Sequence, residues 1–301
     1  MDIRTFSKLC LAIANGEEAK SLLPTHNFDE AAQRQLVQMA VLQRVLPTIC
    51  QFIYDNPDVF REILKGSDAL ALQNPMHFKA RCMRIKSQLL EIDHHLAGTT
   101  VKPVLLKGSI LLFDKLYPSI AMRHMSDIDI LCEDPRFGQA LAALGYEQVE
   151  PDEQVLVDER GNPTLQQGEY HLPPVGRASD PVQIEPHLIP TSPIYSYLVP
   201  KNFDTDVRVV DGCSNLYQPN PRNHLIHVLI HALRHDRDVL DGGLLVRGLV
   251  DCELLYQKLA PQDRAACEAH FRSCGAIGFW TSWRALAEWT CRVLVPPQVL
   301  V

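Results

Sequence analysis

No two cysteines stand in a Cys-x-x-Cys pair, although the chain of 301 residues holds nine. They fall at 10, 50, 82, 132, 213, 252, 267, 274 and 291, mostly among apolar neighbours. Thiols so placed, and odd in number, read as reduced and buried, which excludes a disulfide framework or a zinc knuckle. No run approaches the roughly 18 apolar residues that span a bilayer. The start, Met1-Asp2-Ile3-Arg4, lacks the basic region and apolar stretch of a signal peptide. A cytoplasmic protein with no membrane partner is therefore expected. Positive charge is not in excess either. The formal net charge of -7 gives no indication of a nucleic-acid partner, although it leaves a local patch open. Lys79, Arg81, Arg84 and Lys86 form one such cluster, and its ordinary reading is a solvated helix face. Internal repeats and low-complexity tracts are absent.

A hydrophobic fraction of 46% and a charged fraction of 22% are those of an ordinary globular protein, long enough here for two or three packed units. Residues 1–98 read as a helical region. Phe6, Leu9, Cys10 and Ile13 recur at helical spacing up to Asn15-Gly16. Asp29 suits the cap of a second helix, and a third runs from Pro75 through Ile92. Pro24, Pro47, Pro57 and Gly66 punctuate the region. Residues 99–200 change character. Strands are expected at 101–106, 127–131, 146–150, 154–157, 169–173 and 182–187, with helices at 109–116 and 136–144. That mixture predicts a small α/β (α+β) core with a mixed sheet. The polar 160–180 stretch reads as a surface hairpin more readily than as a flap. Residues 201–301 return to helices, opening at Pro221, Leu244, Pro261 and Gly278.

Two stretches carry chemistry. Leu105-Leu106-Lys107-Gly108-Ser109 reads as a strand turning into a helix. Backbone N–H groups at such a corner bind phosphate, and glycine admits a close approach. The plainer alternative is a helix capped by Ser109. Downstream, Ser126-Asp127-Ile128-Asp129-Ile130 places two carboxylates on one face of a strand and two isoleucines on the other. Either the carboxylates face solvent, or a hard divalent cation lies between them. A third constellation is the stripe His224, His227, His231 and His235 on one face of the helix after Pro221. Hydrogen-bonded core residues, a cleft lining and a separate metal site through His235-Asp236 all fit that stripe.

Leu-Lys-Gly-Ser, then Tyr117-Pro118, then Arg123-His124-Met125-Ser126-Asp127-Ile128-Asp129 resembles the DNA polymerase β-like nucleotidyltransferase superfamily. More narrowly, it is similar to an uncharacterised bacterial nucleotidyltransferase family marked by Leu-Lys-Gly and Arg-x-x-x-Asp-Ile-Asp. The likeness is firm over residues 100–190 and looser through the histidine-rich helix to Asp251. It implies a nucleotidyltransferase core flanked by helical regions. It also implies a third carboxylate on a later strand, which Glu185 of Val182-Gln183-Ile184-Glu185-Pro186-His187 supplies. Pro186 suits a strand end or an edge strand. The implied reaction moves a nucleoside monophosphate from a nucleoside triphosphate to an acceptor and releases pyrophosphate. Asp127, Asp129 and Glu185 would be catalytic and would hold two Mg²⁺ ions, or Mn²⁺ in their place, roughly 3.5–4 Å apart. Lys107, Gly108, Ser109 and Arg123 would bind the phosphates, and His187, His227, His231 and His235 would line the cleft. The acceptor is a small molecule, an RNA end or a protein. A phosphotransferase using the same carboxylates and a non-catalytic nucleotide-binding protein are the alternatives.

Overall fold

The structure, a computed structural model, describes residues 1–24, 28–66, 72, 74–149, 156–165, 168–232 and 245–291. Helix α1 spans Ile3–Asn15, with Phe6, Leu9, Cys10 and Ile13 buried. Gly16 closes it at φ 73°, a conformation that costs glycine little. Asp29 caps α2 (Glu30–Leu42) by accepting from the Ala32 amide at 3.0 Å. Pro47, expected as a break, instead sits in the first turn of α3 (Leu46–Asp55), where a missing N–H is harmless. Helix α4 runs Met76–His95.

The sheet is mixed and has seven strands. In chain order these are β1 (Val104–Leu105), β2 (Asp127–Leu131), β3 (Glu147–Gln148), β6 (Val175–Gly176), β7 (Gln183–His187), β8 (Val207–Val209) and β9 (Tyr217–Pro219). Their spatial order is β3-β6-β7-β2-β1-β9-β8. Strands β4 (Leu156–Val157) and β5 (Pro163–Thr164) form a separate antiparallel hairpin. A short helix, α5 (Arg136–Ala143), follows β2 and ends ahead of Gly145. Central β2 pairs antiparallel with β1 and parallel with β7. Its Ile128 and Ile130 are fully buried on the face covered by α4. There Ile85, Leu89 and Ile92 meet them at helical spacing, each burial contributing about 1.5–3 kcal/mol. Leu131, on the other face, packs with Val104, Leu106 and Phe203.

Pro186 does not mark an edge, because β7 lies between β6 and β2. The strand tolerates it for a directional reason. His187 accepts from the Cys132 amide on the β2 side, so Pro186 turns its backbone polar groups the other way. There its carbonyl accepts from the Leu172 amide, β6 has already ended its pairing at Ile184, and no strand donor is lost.

Four helices complete the chain: α6 (Pro221–Ile230), α7 (Val246–Lys258), α8 (Pro261–Ser273) and α9 (Ile277–Cys291). They share one apolar core with α1–α3, whereas α4 belongs to the core of the sheet. The basic cluster on α4 is tied down in part. Arg84 donates to the Ser179 carbonyl at 2.7 Å, Arg81 to the Met125 carbonyl at 3.4 Å, and the Lys86 ammonium lies over the Phe113 ring. Eight described cysteines are free thiols. Among the described residues no helix is long and apolar enough to cross a membrane.

Candidate active site

Parallel register sets Asp129 of β2 directly beside Glu185 of β7, with Asp127 beside Gln183 and Leu131 beside His187. Because side chains alternate, Asp127, Asp129, Glu185 and His187 share the face opposite Ile128 and Ile130. Asp129 is only 3% exposed, so its charge needs partners. The corner after β1 holds its backbone and supplies one of them, Lys107, and β7 supplies the other, His187. Leu106 donates its amide to the Asp129 carbonyl at 3.0 Å, and the Asp129 amide donates to Ser109 Oγ at 3.2 Å. Lys107 Nζ reaches Asp129 Oδ1 at 2.6 Å, and His187 Nε2 reaches the same oxygen at 2.9 Å.

Ser109 therefore does not cap a helix from 109. The helix expected there is a 3₁₀ turn over Lys107–Leu112, and the Ser109 hydroxyl, buried, is engaged by the Asp129 amide. Lys107 enters that turn at φ 50°, a left-handed conformation that costs a side chain about 1–2 kcal/mol. Its carbonyl accepts from His224 Nε2 at 3.3 Å, which helps to hold the turn. The Arg123 guanidinium lies over Gly108, where a Cβ would meet Nη2 at 3.4 Å, an ordinary contact.

Charge balance follows from these contacts. Burial works against ionising Asp129, but the Lys107 ammonium and the His187 hydrogen bond outweigh it and hold the carboxyl far below its usual range. Burial likewise opposes the Lys107 charge, and Asp129 overcomes it, so the ammonium is retained more strongly than usual. Glu185 moves the other way: burial, then the negative charges of Asp129 and Asp127, raise its pKa and disfavour its ionised form. His187 is held neutral mainly by burial.

Arg123 is gripped by Asp251 of α7, whose Oδ2 accepts from Nε at 2.8 Å, and its Nη1 donates to the His124 carbonyl. Tyr117 donates to the same carboxylate at 2.5 Å. Asp251 thus orients a guanidinium and a phenol. The histidine stripe divides. His224 and His227 are buried, and His227 donates to the Pro190 carbonyl at 2.8 Å. Burial lowers their pKa to about 4 and about 3, so both are neutral packing residues. His231 lines the cavity, and His235 lies outside the described residues.

That cavity, of about 300 Å³, is walled by Asp127, Asp129, Glu185, Lys107, Gly108 and Arg123. Sequence reasoning did not bring Arg44, Tyr170, His171 and Arg247 to it, because each arrives from a segment that carries no motif. His171 is the nearest to legible, since it lies in the stretch read as a strand and forms a single bridge to His187.

The residues fit a divalent cation. Asp129, Glu185 and His187 offer ligand atoms that lie within 4.8 Å of one another. Carboxylate oxygens suit a hard cation, and the suppressed ionisation of Glu185 marks where positive charge is wanted. Asp127, hydrogen-bonded by Ser126 Oγ at 3.0 Å, shares the face but is not in that close group.

A family model described as "Uncharacterised nucleotidyltransferase" matches residues 29–289. No curated protein and no solved structure matches the chain.

Proposed function

The chain belongs to this family of nucleotidyltransferases, and from that premise we propose that it transfers a nucleoside monophosphate from a nucleoside triphosphate to an acceptor in an Mg²⁺-dependent reaction that releases pyrophosphate. The observation that carries the proposal is the parallel register that sets Asp129 beside Glu185, with Asp127 on the same face, in the wall of one cavity.

Asp127, Asp129 and Glu185 are the residues that would hold the metal. A divalent cation held by them would neutralise charge on the triphosphate and make an acceptor hydroxyl more acidic. Lys107 and His187 fix the orientation of the Asp129 carboxylate and keep it ionised. Ser109 acts through the backbone, holding the Asp129 amide and hence the strand register at the site. Arg123, positioned by Asp251 and lying over Gly108, neutralises charge that develops on the leaving oxygen. Glu185 serves either as the third ligand of that metal or, where it is not bound to it, as the group that takes the proton of the acceptor hydroxyl.

The test is incubation with Mg²⁺ and α-labelled or γ-labelled nucleoside triphosphates, with cell extract as the source of acceptor. The double variant Asp127→Ala/Asp129→Ala runs alongside. Label from the α-phosphate in an acceptor, absent in the variant, supports the proposal. Transfer from the γ position alone means a phosphotransferase. Metal-dependent binding without transfer means a nucleotide-binding protein, and no such binding removes both enzyme readings.

A further inference from the structure

Two guanidiniums in the cavity wall have no part in the chemistry above. Arg44 follows α2 and Arg247 lies in the first turn of α7, so neither comes from the sheet. A hydrogen bond between their chain neighbours brings them to one place: the Val246 amide, an orphan donor at the start of α7, donates to Gln43 Oε1 at 3.0 Å.

Arg44 occupies a position that glycine ordinarily fills. Its φ is 54°, its amide donates to the Val41 carbonyl at 3.1 Å, and the next amide, of Val45, donates to Ala40 at 2.8 Å. That pair of bonds is the closure in which a left-handed glycine or asparagine is favoured. The closing bonds need only the backbone, and the Arg44 guanidinium forms no hydrogen bond or ion pair with any described residue, so the fold itself does not call for arginine over glycine here. Among the described residues Lys107 is the one other non-glycine with positive φ, and it lines the same cavity. His124, also in the wall, feels Arg123, Arg247, Arg81 and Arg44 together, and after burial their charges hold its imidazole neutral. Asp251 balances Arg123. Arg44, Arg123 and Arg247 therefore gather around His124 in one part of the wall, beside the cavity's carboxylates.

We propose that Arg44 and Arg247 bind an oxyanion of the acceptor, a carboxylate or a phosphate group, so that the acceptor is an anionic compound carrying a hydroxyl. Planar guanidiniums match such groups with two parallel hydrogen bonds. The inference rests on the proposed nucleotidyl transfer in assigning the oxyanion to the acceptor, since the Gly108 corner and Arg123 are the groups left for the triphosphate.

The experiment is calorimetric titration of the full chain with inorganic phosphate and, separately, succinate. Each is repeated with Mg²⁺ and a non-hydrolysable α,β-methylene nucleoside triphosphate in saturating amount. At least one oxyanion is expected to bind, and to bind undiminished beside the analogue. Arg44→Gly and Arg247→Gln are each expected to weaken it by at least about tenfold while moving the affinity of the analogue by less than about twofold. Glycine suits the turn at 44, so an unchanged or raised Tm in Arg44→Gly separates lost binding from lost fold. Oxyanion affinity untouched by Arg44→Gly, or no oxyanion binding at all, would overturn the proposal. Competition between phosphate and the analogue, with both weakened by Arg44→Gly, would overturn it too, by assigning the guanidiniums to the triphosphate. The titrations need no turnover. Failure of nucleotidyl transfer is read in the labelling assay, and failure of the oxyanion site is read here.

Discussion

Asp251 Oδ2 accepts from Arg123 Nε at 2.8 Å, although 128 residues separate the two. The bridge ties α7 to the segment just ahead of β2, and both side chains are largely buried. Burial works against the Arg123 charge, and the Asp251 carboxylate outweighs it. Removing one partner of such a pair leaves an uncompensated buried charge. Asp251→Ala is expected to cost about 3–5 kcal/mol in urea unfolding, and Asp251→Asn less, because an amide oxygen still accepts. A loss below about 1 kcal/mol in Asp251→Ala would show that solvent reaches Arg123.

The two aspartates of β2 are expected to separate stability from activity. Asp129 is clamped by Lys107 and His187, whereas Asp127 has one hydrogen bond, from the adjacent Ser126. Asp129→Asn should lose about 3 kcal/mol of stability, since Lys107 is left without its counter-charge. Asp127→Asn should stay within about 0.5 kcal/mol of the parent. Both should depress metal-dependent transfer by at least about 100-fold, the scale of removing one preorganised group at a reacting centre. Chelation with EDTA should mimic this loss, with recovery on adding Mg²⁺. Full activity in Asp127→Asn would remove that residue from the proposed ligand set.

His224 and His227 set an acid limit. Their folded pKa values, about 4 and about 3, lie below the ordinary 6.5 for histidine. Below pH 6.5 the unfolded chain therefore binds more protons than the folded one, and stability falls as pH drops from about 6.5 toward 4. With two such groups the slope should approach roughly 2.7 kcal/mol per pH unit near pH 5. Glu185 acts in the opposite sense, because folding raises its pKa, and it offsets part of this loss between the unfolded carboxyl pKa and its own. Urea midpoints from pH 8 to pH 4.5 measure the slope. A flat profile below pH 6 would mean that water reaches both imidazoles.

Gly248 is a packing glycine. A Cβ there would lie 2.8 Å from the Cβ of Ala232, closer than two such atoms approach. Alanine is the better helix former by about 0.8–1 kcal/mol, yet Gly248→Ala should destabilise by about 1–3 kcal/mol through overpacking. Adding Ala232→Gly should recover most of the loss. If Gly248→Ala proves stabilising, α7 has shifted on its neighbour, and the cavity lining beside Arg247 should change with it.

Strong local signals were legible in the sequence. The alternation in Asp-Ile-Asp-Ile-Leu marks β2 at Asp127–Leu131, and Asp29 and Gly16 mark helix ends through cap chemistry that needs no tertiary partner. The corner at Lys107 was legible as a turn but not as 3₁₀ structure. What shapes it is the long-range grip of Asp129 and His224, which no local pattern encodes. Pro47 misled because proline both breaks helices and starts them. Arg44 and Arg247 were invisible as cavity residues for a related reason: their nearness depends on the Gln43–Val246 bond, which spans 203 positions.

Helices α1–α3 and α6–α9 share one apolar core, and the cavity takes Arg44 from the first group and Arg247 and Asp251 from the second. Synthesis runs from the N-terminus, so the sheet strands leave the ribosome before the last helices exist. The first three helices must then wait, with their apolar faces uncovered, for partners translated some 200 residues later, at about 5–20 residues per second. During that interval of roughly 10–40 seconds, the nascent chain has its carboxylate strands but not its cationic wall. A truncated or stalled product would present those apolar faces to chaperones and proteases without an assembled cavity.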